Sequence, residues 1–105
     1  MTGLRVFEDV EGRLFLEITA PGLNLGRALF VPAVLETFSP SQIVNPSARV
    51  SIRFQEKSYI VAFLFVTSLV PDQATRRFNF VGVLEATDSI NVLNNLVDVL
   101  AYPGL

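Results

Sequence analysis

A glycine hairpin near the start of the chain constrains the fold more than any other feature. Along Leu4–Asp9 and Arg13–Ala20 apolar and polar side chains alternate with period 2, the signature of half-buried strands. Between them, Asp9-Val10-Glu11-Gly12-Arg13 reads as a three-residue loop with Gly12 in the left-handed conformation. That loop sets a register. Asp9 falls opposite Arg13, Phe7 opposite Phe15 and Arg5 opposite Glu17 on one face. Glu8 meets Leu14, Val6 meets Leu16 and Leu4 meets Ile18 on the other. Opposite charges and matched aromatics thus coincide in a register chosen by the glycine alone, and such pairs contribute roughly 0.2–1 kcal/mol each.

The rest of the chain continues in the same mode. Strands are expected at Arg27–Glu36, Ala48–Gln55, Ser58–Ser68 and Arg77–Ala86, followed by one helix at Ser89–Tyr102. Pro21-Gly22 fits a type II turn, and Thr37–Ser47 reads as a surface loop. Pro32 lacks an N–H, so the third strand should be an edge or carry a bulge there. A second hairpin turning at Glu56-Lys57 places Val50, Ile52 and Phe54 opposite Phe63, Val61 and Tyr59 on a core face. Its outer face sets Arg49, Ser51 and Arg53 against Leu64, Ala62 and Ile60. A strand apolar on both faces is covered on both, and the C-terminal helix is the expected cover.

That helix should be capped by Asp88 or Thr87. Ile90, Val92, Leu93, Leu96, Val97, Val99, Leu100 and Ala101 fill about 200° of its circumference, twice the roughly 100° that packing on one sheet requires. Either the helix is buried on both flanks, or Val92, Leu96 and Val99 face a partner chain. The expected architecture is one domain over residues 1–105. It is mainly β: a small six-stranded antiparallel β-barrel with a C-terminal α-helix packed on it.

Composition narrows the function. Hydrophobic residues make up 50% of the 105 and charged residues only 17%, against about 25% in a typical domain, which excludes disorder. With no His and no Cys, thiol nucleophiles, disulfides, His-based triads and Cys/His zinc sites are excluded. Eight basic residues in a chain of net charge −2 argue against a nucleic-acid partner. The apolar run Tyr59–Val70 is too short to span a bilayer as a helix, which needs roughly 20 residues. With no signal-peptide pattern at Met1–Arg5, no membrane insertion and a cytoplasmic location are expected.

No catalytic motif is present, and Glu8, Asp9 and Glu11 read as solvated charge at a hairpin end. The expectation is therefore a protein without enzymatic activity, cofactor or metal. Two arginine features could hold phosphate oxygens or simply solubilise the sheet: Arg49 with Arg53 on one strand face, and Arg76-Arg77 opening the last strand. The Phe7/Phe15 pair points away from the hairpin's aliphatic face. It is either packed by a crossing segment or a partner-binding patch.

The order of elements resembles a PilZ domain, a small bacterial barrel commonly carrying a C-terminal helix. The likeness is to the degenerate branch that includes type IV pilus biogenesis proteins. Leu29-Phe30-Val31-Pro32 resembles that branch's apolar strand ending in proline. Ala48–Phe54 with Ile60–Thr67 resembles its central hairpin, and Arg77-Phe78-Asn79-Phe80-Val81-Gly82-Val83 its last strand. PilZ domains that bind cyclic di-guanylate use R-x-x-x-R followed by [DN]-x-S-x-x-G. Arg49-Val50-Ser51-Ile52-Arg53 matches the first in letters, but mid-chain. Asn45-Pro46-Ser47 begins like the second, but Val50 stands where Gly is required and the segment precedes the arginines. The dinucleotide role is not carried over.

The expected function is a protein-interaction module, regulatory or an assembly adaptor in bacterial motility or surface-structure control. Its partner would be a protein, including a second copy in a homodimer or homo-oligomer. Binding would run through Val92, Leu96 and Val99 or through Phe7 and Phe15. The alternatives are a receptor for cyclic di-GMP or a related anionic nucleotide, held by Arg49, Arg53, Arg76 or Arg77, and a structural subunit of a larger assembly.

Overall fold

The computed structural model describes residues 3–20, 26–37 and 50–100, with the side chains of Leu64 and residues 98–100 set aside. The first hairpin forms in the expected register. β1 (Arg5–Glu8) runs antiparallel to β2 (Leu14–Glu17), with Val6 opposite Leu16, Phe7 opposite Phe15 and Glu8 opposite Leu14. Gly12 takes φ +80° and its N–H donates to the Asp9 carbonyl at 3.1 Å. Asp9 Oδ1 accepts the N–H groups of Glu11 and Arg13, and Oδ2 accepts Arg13 Nε at 2.7 Å.

β3 (Ala28–Leu35), β4 (Ser51–Phe54), β5 (Lys57–Val61), β6 (Thr67–Leu69) and β7 (Asn79–Val83) complete one antiparallel sheet. Six of its strands follow the order β4-β5-β3-β2-β1-β7 and curl into a half-barrel, while β6 pairs with β3. The helices are α1 (Pro71–Arg77) and α2 (Ala86–Leu100). The mainly β architecture with a C-terminal helix is therefore the one expected. The concave face carries the main core, in which Val6, Leu16, Val31, Val61 and Leu84 are almost wholly buried.

Four details differ from the sequence reading. First, β3 is central, despite Pro32. Ile18 N–H donates to the Leu29 carbonyl, so odd-numbered residues of β3 bond to β2 and Pro32 points the other way. There it meets the junction where β5 ends and β6 begins, and its carbonyl accepts Ala62 N–H at 2.9 Å. The missing N–H is placed where no ladder donor is needed.

Second, the expected strand Ser58–Ser68 is two strands, separated by a single 3-10 turn at Phe63–Phe65. Its first half pairs with Ala33–Leu35 and its second with Ala28–Phe30. The break lets one chain segment follow β3 around the curl. Third, the second hairpin turns one residue earlier than expected, at Gln55-Glu56, both with positive φ (49° and 66°). Ile52 therefore faces Tyr59 and not Val61. A slip of two residues keeps every side chain on its face, so Val50, Ile52, Phe54, Tyr59 and Val61 are still core.

Fourth, Pro71–Arg77 is helical, and the last strand starts at Asn79 and not at Arg77. Pro71 opens α1, Asp72 lies in its first turn and Arg76 and Arg77 in its last, matching the helix dipole at both ends. Gln73 Oε1 accepts the Val70 N–H. The Pro21-Gly22 turn, most of the Thr37–Ser47 loop, the start of the fourth strand at Ala48 and the helix end at Tyr102 lie outside the described residues.

Candidate functional site

The C-terminal helix begins at Ala86, three residues earlier than expected, so Thr87 and Asp88 lie inside its first turn and do not cap it. The Asp88 carboxylate accepts the Arg53 N–H of β4 at 3.1 Å. Ser89 Oγ accepts the Leu4 N–H at 3.0 Å and donates to the Glu85 carbonyl at 2.9 Å. These bonds tie the helix start to β4, at one end of the strand order, and to the residue leading into β1, next to the other end. They turn Ser89 and Val92, both fully buried, into the concave core, with Leu96 packed behind them.

Val92 thus cannot face a partner, and Leu96 is largely occupied; the Val99 side chain lies outside the described set. Nor does α2 cover the outer side of β5, since Ile60 and Ala62 form a separate buried pair. The half-barrel's open concave face demands the helix's apolar stripe more than the outer face does. The flank left over is a different one. Ile90 is 46% and Val97 67% exposed, with half-buried Leu93 between them at one-turn spacing.

The convex face carries a second small core beneath α1. Phe15, Phe30, Leu69 and Phe78 are buried together, with Phe7, Ala28 and Ala74 packed against them. Phe15 is therefore not available to a partner, and Phe7 is half-covered. The crossing segment that packs the pair is α1 with Phe78: Phe15 and Phe78 ring centroids are 4.6 Å apart, and Phe30 and Phe78 are 4.8 Å apart.

Beside this cluster, between α1 and the outer faces of β1, β2 and β3, lies a cleft of about 450 Å³. One wall holds the pair anticipated from the hairpin register. Arg5 Nε and Nη2 donate to the two Glu17 carboxylate oxygens at 2.7 and 2.8 Å, and Glu17 is buried. The pairing holds the Arg5 guanidinium above its ordinary pKa through the hydrogen bonds it donates to Glu17. The Arg5 guanidinium also lies 5.4 Å from the Phe7 ring centre. At the opposite rim, Arg27 Nε donates to Ser68 Oγ at 2.7 Å and Nη2 to the Ser68 carbonyl at 3.0 Å.

The arginines singled out from sequence are not brought together. Arg53 is exposed on β4 at one end of the sheet order. Arg76 Nε donates to the Asp72 carbonyl within α1, and the Arg77 guanidinium lies 5.8 Å from the centre of the Phe78 ring. No hydrogen bond or ion pair among the described residues links Arg53 to either, and Arg49 lies outside them. The residues missed in the sequence are Arg27, Phe30, Phe78 and Phe80. For Phe78 and Phe80 the available signal is α1, readable from Pro71-Asp72 and Arg76-Arg77.

No group of three or more His, Cys, Asp or Glu suited to a metal ion is found among the described residues, and no described helix is long and apolar enough to cross a membrane. No protein-family model matches the chain, and no curated protein matches it.

Proposed function

We propose that the chain is a non-enzymatic interaction module that binds protein, including a second copy of itself, through the outer flank of α2. In this reading it is a PilZ-like regulatory or assembly adaptor of bacterial motility or surface-structure control, acting in the cytoplasm. The observation that supports it is the pair Ile90 and Val97, exposed on the same helix whose other flank completes the core. An apolar strip on a packed helix costs solubility and gains nothing for the isolated fold.

Sedimentation velocity over a hundredfold concentration range tests this. The wild type should show a mass that rises with concentration. Ile90→Asp/Val97→Asp should remain monomeric with an unchanged circular dichroism spectrum. A wild type that stays monomeric throughout would sink the self-association reading.

A further inference from the structure

The structure assigns a ligand site to the convex cleft: a binding place for a small aromatic monoanion, an arene bearing one sulfonate or carboxylate group. This goes beyond the interaction surface on α2 and shares no residue with it.

The charge on the cleft is local and simple. Arg5 and Glu17 neutralise each other in a two-pronged pair, so that wall carries a dipole and no net charge. Arg27 is different. Its two hydrogen bonds go to the neutral hydroxyl and carbonyl of Ser68, and it has no carboxylate partner among the described residues. Those bonds fix the guanidinium at the rim while leaving its charge uncompensated. A planar, oriented guanidinium is the group that matches an oxyanion best.

The interior of the cleft is aromatic. Phe7 meets Phe30 edge to face, with centroids 5.5 Å apart at 87°, and meets Phe80 in the same manner at 5.7 Å and 70°. The series stops at Phe80, whose side chain is left largely open to solvent at 56% exposure. A further ring entering the cleft continues the alternation of edges and faces that rings prefer. The cleft's size falls within the roughly 300–1,000 Å³ of small-molecule sites. Aromatic surface and, among the described lining residues, one cation without a carboxylate partner select an arene with one anionic group over a neutral apolar molecule or a polyanion.

The test uses two probes of nearly the same shape, 8-anilinonaphthalene-1-sulfonate and uncharged N-phenyl-1-naphthylamine, in fluorescence titrations. The sulfonate should bind saturably at one site per chain, and more tightly than the neutral arene. Arg27→Gln should weaken the sulfonate at least tenfold and leave the neutral arene unchanged, which also shows that the cleft remains folded. Phe80→Ala should weaken both.

Ile90→Asp/Val97→Asp should alter neither, so failure of the self-association reading leaves this one standing. Non-saturable sulfonate binding, equal loss of both probes in Arg27→Gln, no loss in Arg27→Gln, or loss in the helix-flank variant would each overturn the assignment.

Discussion

Asp9 shows how much one residue can hold in a short turn. Burial by itself would raise its carboxyl pKa. The N–H groups of Arg13 and Glu11 and the Arg13 guanidinium outweigh that and hold it below its ordinary value of 3.8. A carboxyl with a depressed folded-state pKa adds stability that is complete above the unfolded value. That stability is lost as pH falls through the folded one. Asp9→Asn should therefore cost about 1–2 kcal/mol at neutral pH. It should also flatten the fall in stability below about pH 4. Urea unfolding at pH 7 and at steps from pH 5 to 2 checks both, and an unchanged acid limb would refute the assignment. Asp9, Gly12, Arg13, Arg5 and Glu17 were all legible because the partners lie within 12 residues of one another. Arg27 was not, because its partner Ser68 is 41 residues away.

At the scale of elements, the second hairpin separates pattern from turn chemistry. Alternation placed the correct side chains in the core, but it cannot count the residues in a turn. Gln55 and Glu56 both adopt positive φ, a conformation for which Asn-Gly is the favoured pair. Nothing in Gln-Glu signals it. Replacing Gln55→Asn and Glu56→Gly together should stabilise the protein by about 1 kcal/mol. The midpoint of thermal unfolding should rise by roughly 4–8 °C. A lower midpoint would contradict the turn. The helix α1 escaped detection for a related reason: seven residues are too few to show helical periodicity. Its end signals, Pro71-Asp72 and Arg76-Arg77, are present in the sequence, but Arg76-Arg77 suits the opening of a strand equally well.

In the whole molecule the two ends of the strand order, β4 and β7, do not pair but approach each other through a side chain. Phe54 of β4 lies over Gly82 of β7, where an added Cβ would come within 2.9 Å of the ring. Gly82 also takes φ +156°, a region L side chains rarely adopt. Gly82→Ala should cost about 1–3 kcal/mol. Combining it with Phe54→Ala should cost less than the sum of the two single changes, because the clash is then gone. Strict additivity in denaturant unfolding would place the ring elsewhere.

The sequence by itself determined the mainly β class, the first hairpin with its ion pairs, the core face of the second hairpin and the existence of a terminal helix with more apolar surface than one sheet needs. These follow from neighbours along the chain, from period 2 and from a glycine turn. Which flank of that helix is inside was decided by tertiary structure alone. The deciding bonds are Leu4 to Ser89, 85 residues apart, and Arg53 to Asp88, 35 apart. A residue's periodicity states how wide an apolar arc is, but only the surface it meets states which part is covered. Here the open mouth of a half-barrel took Val92 and Leu96, and left Ile90 and Val97 to the solvent.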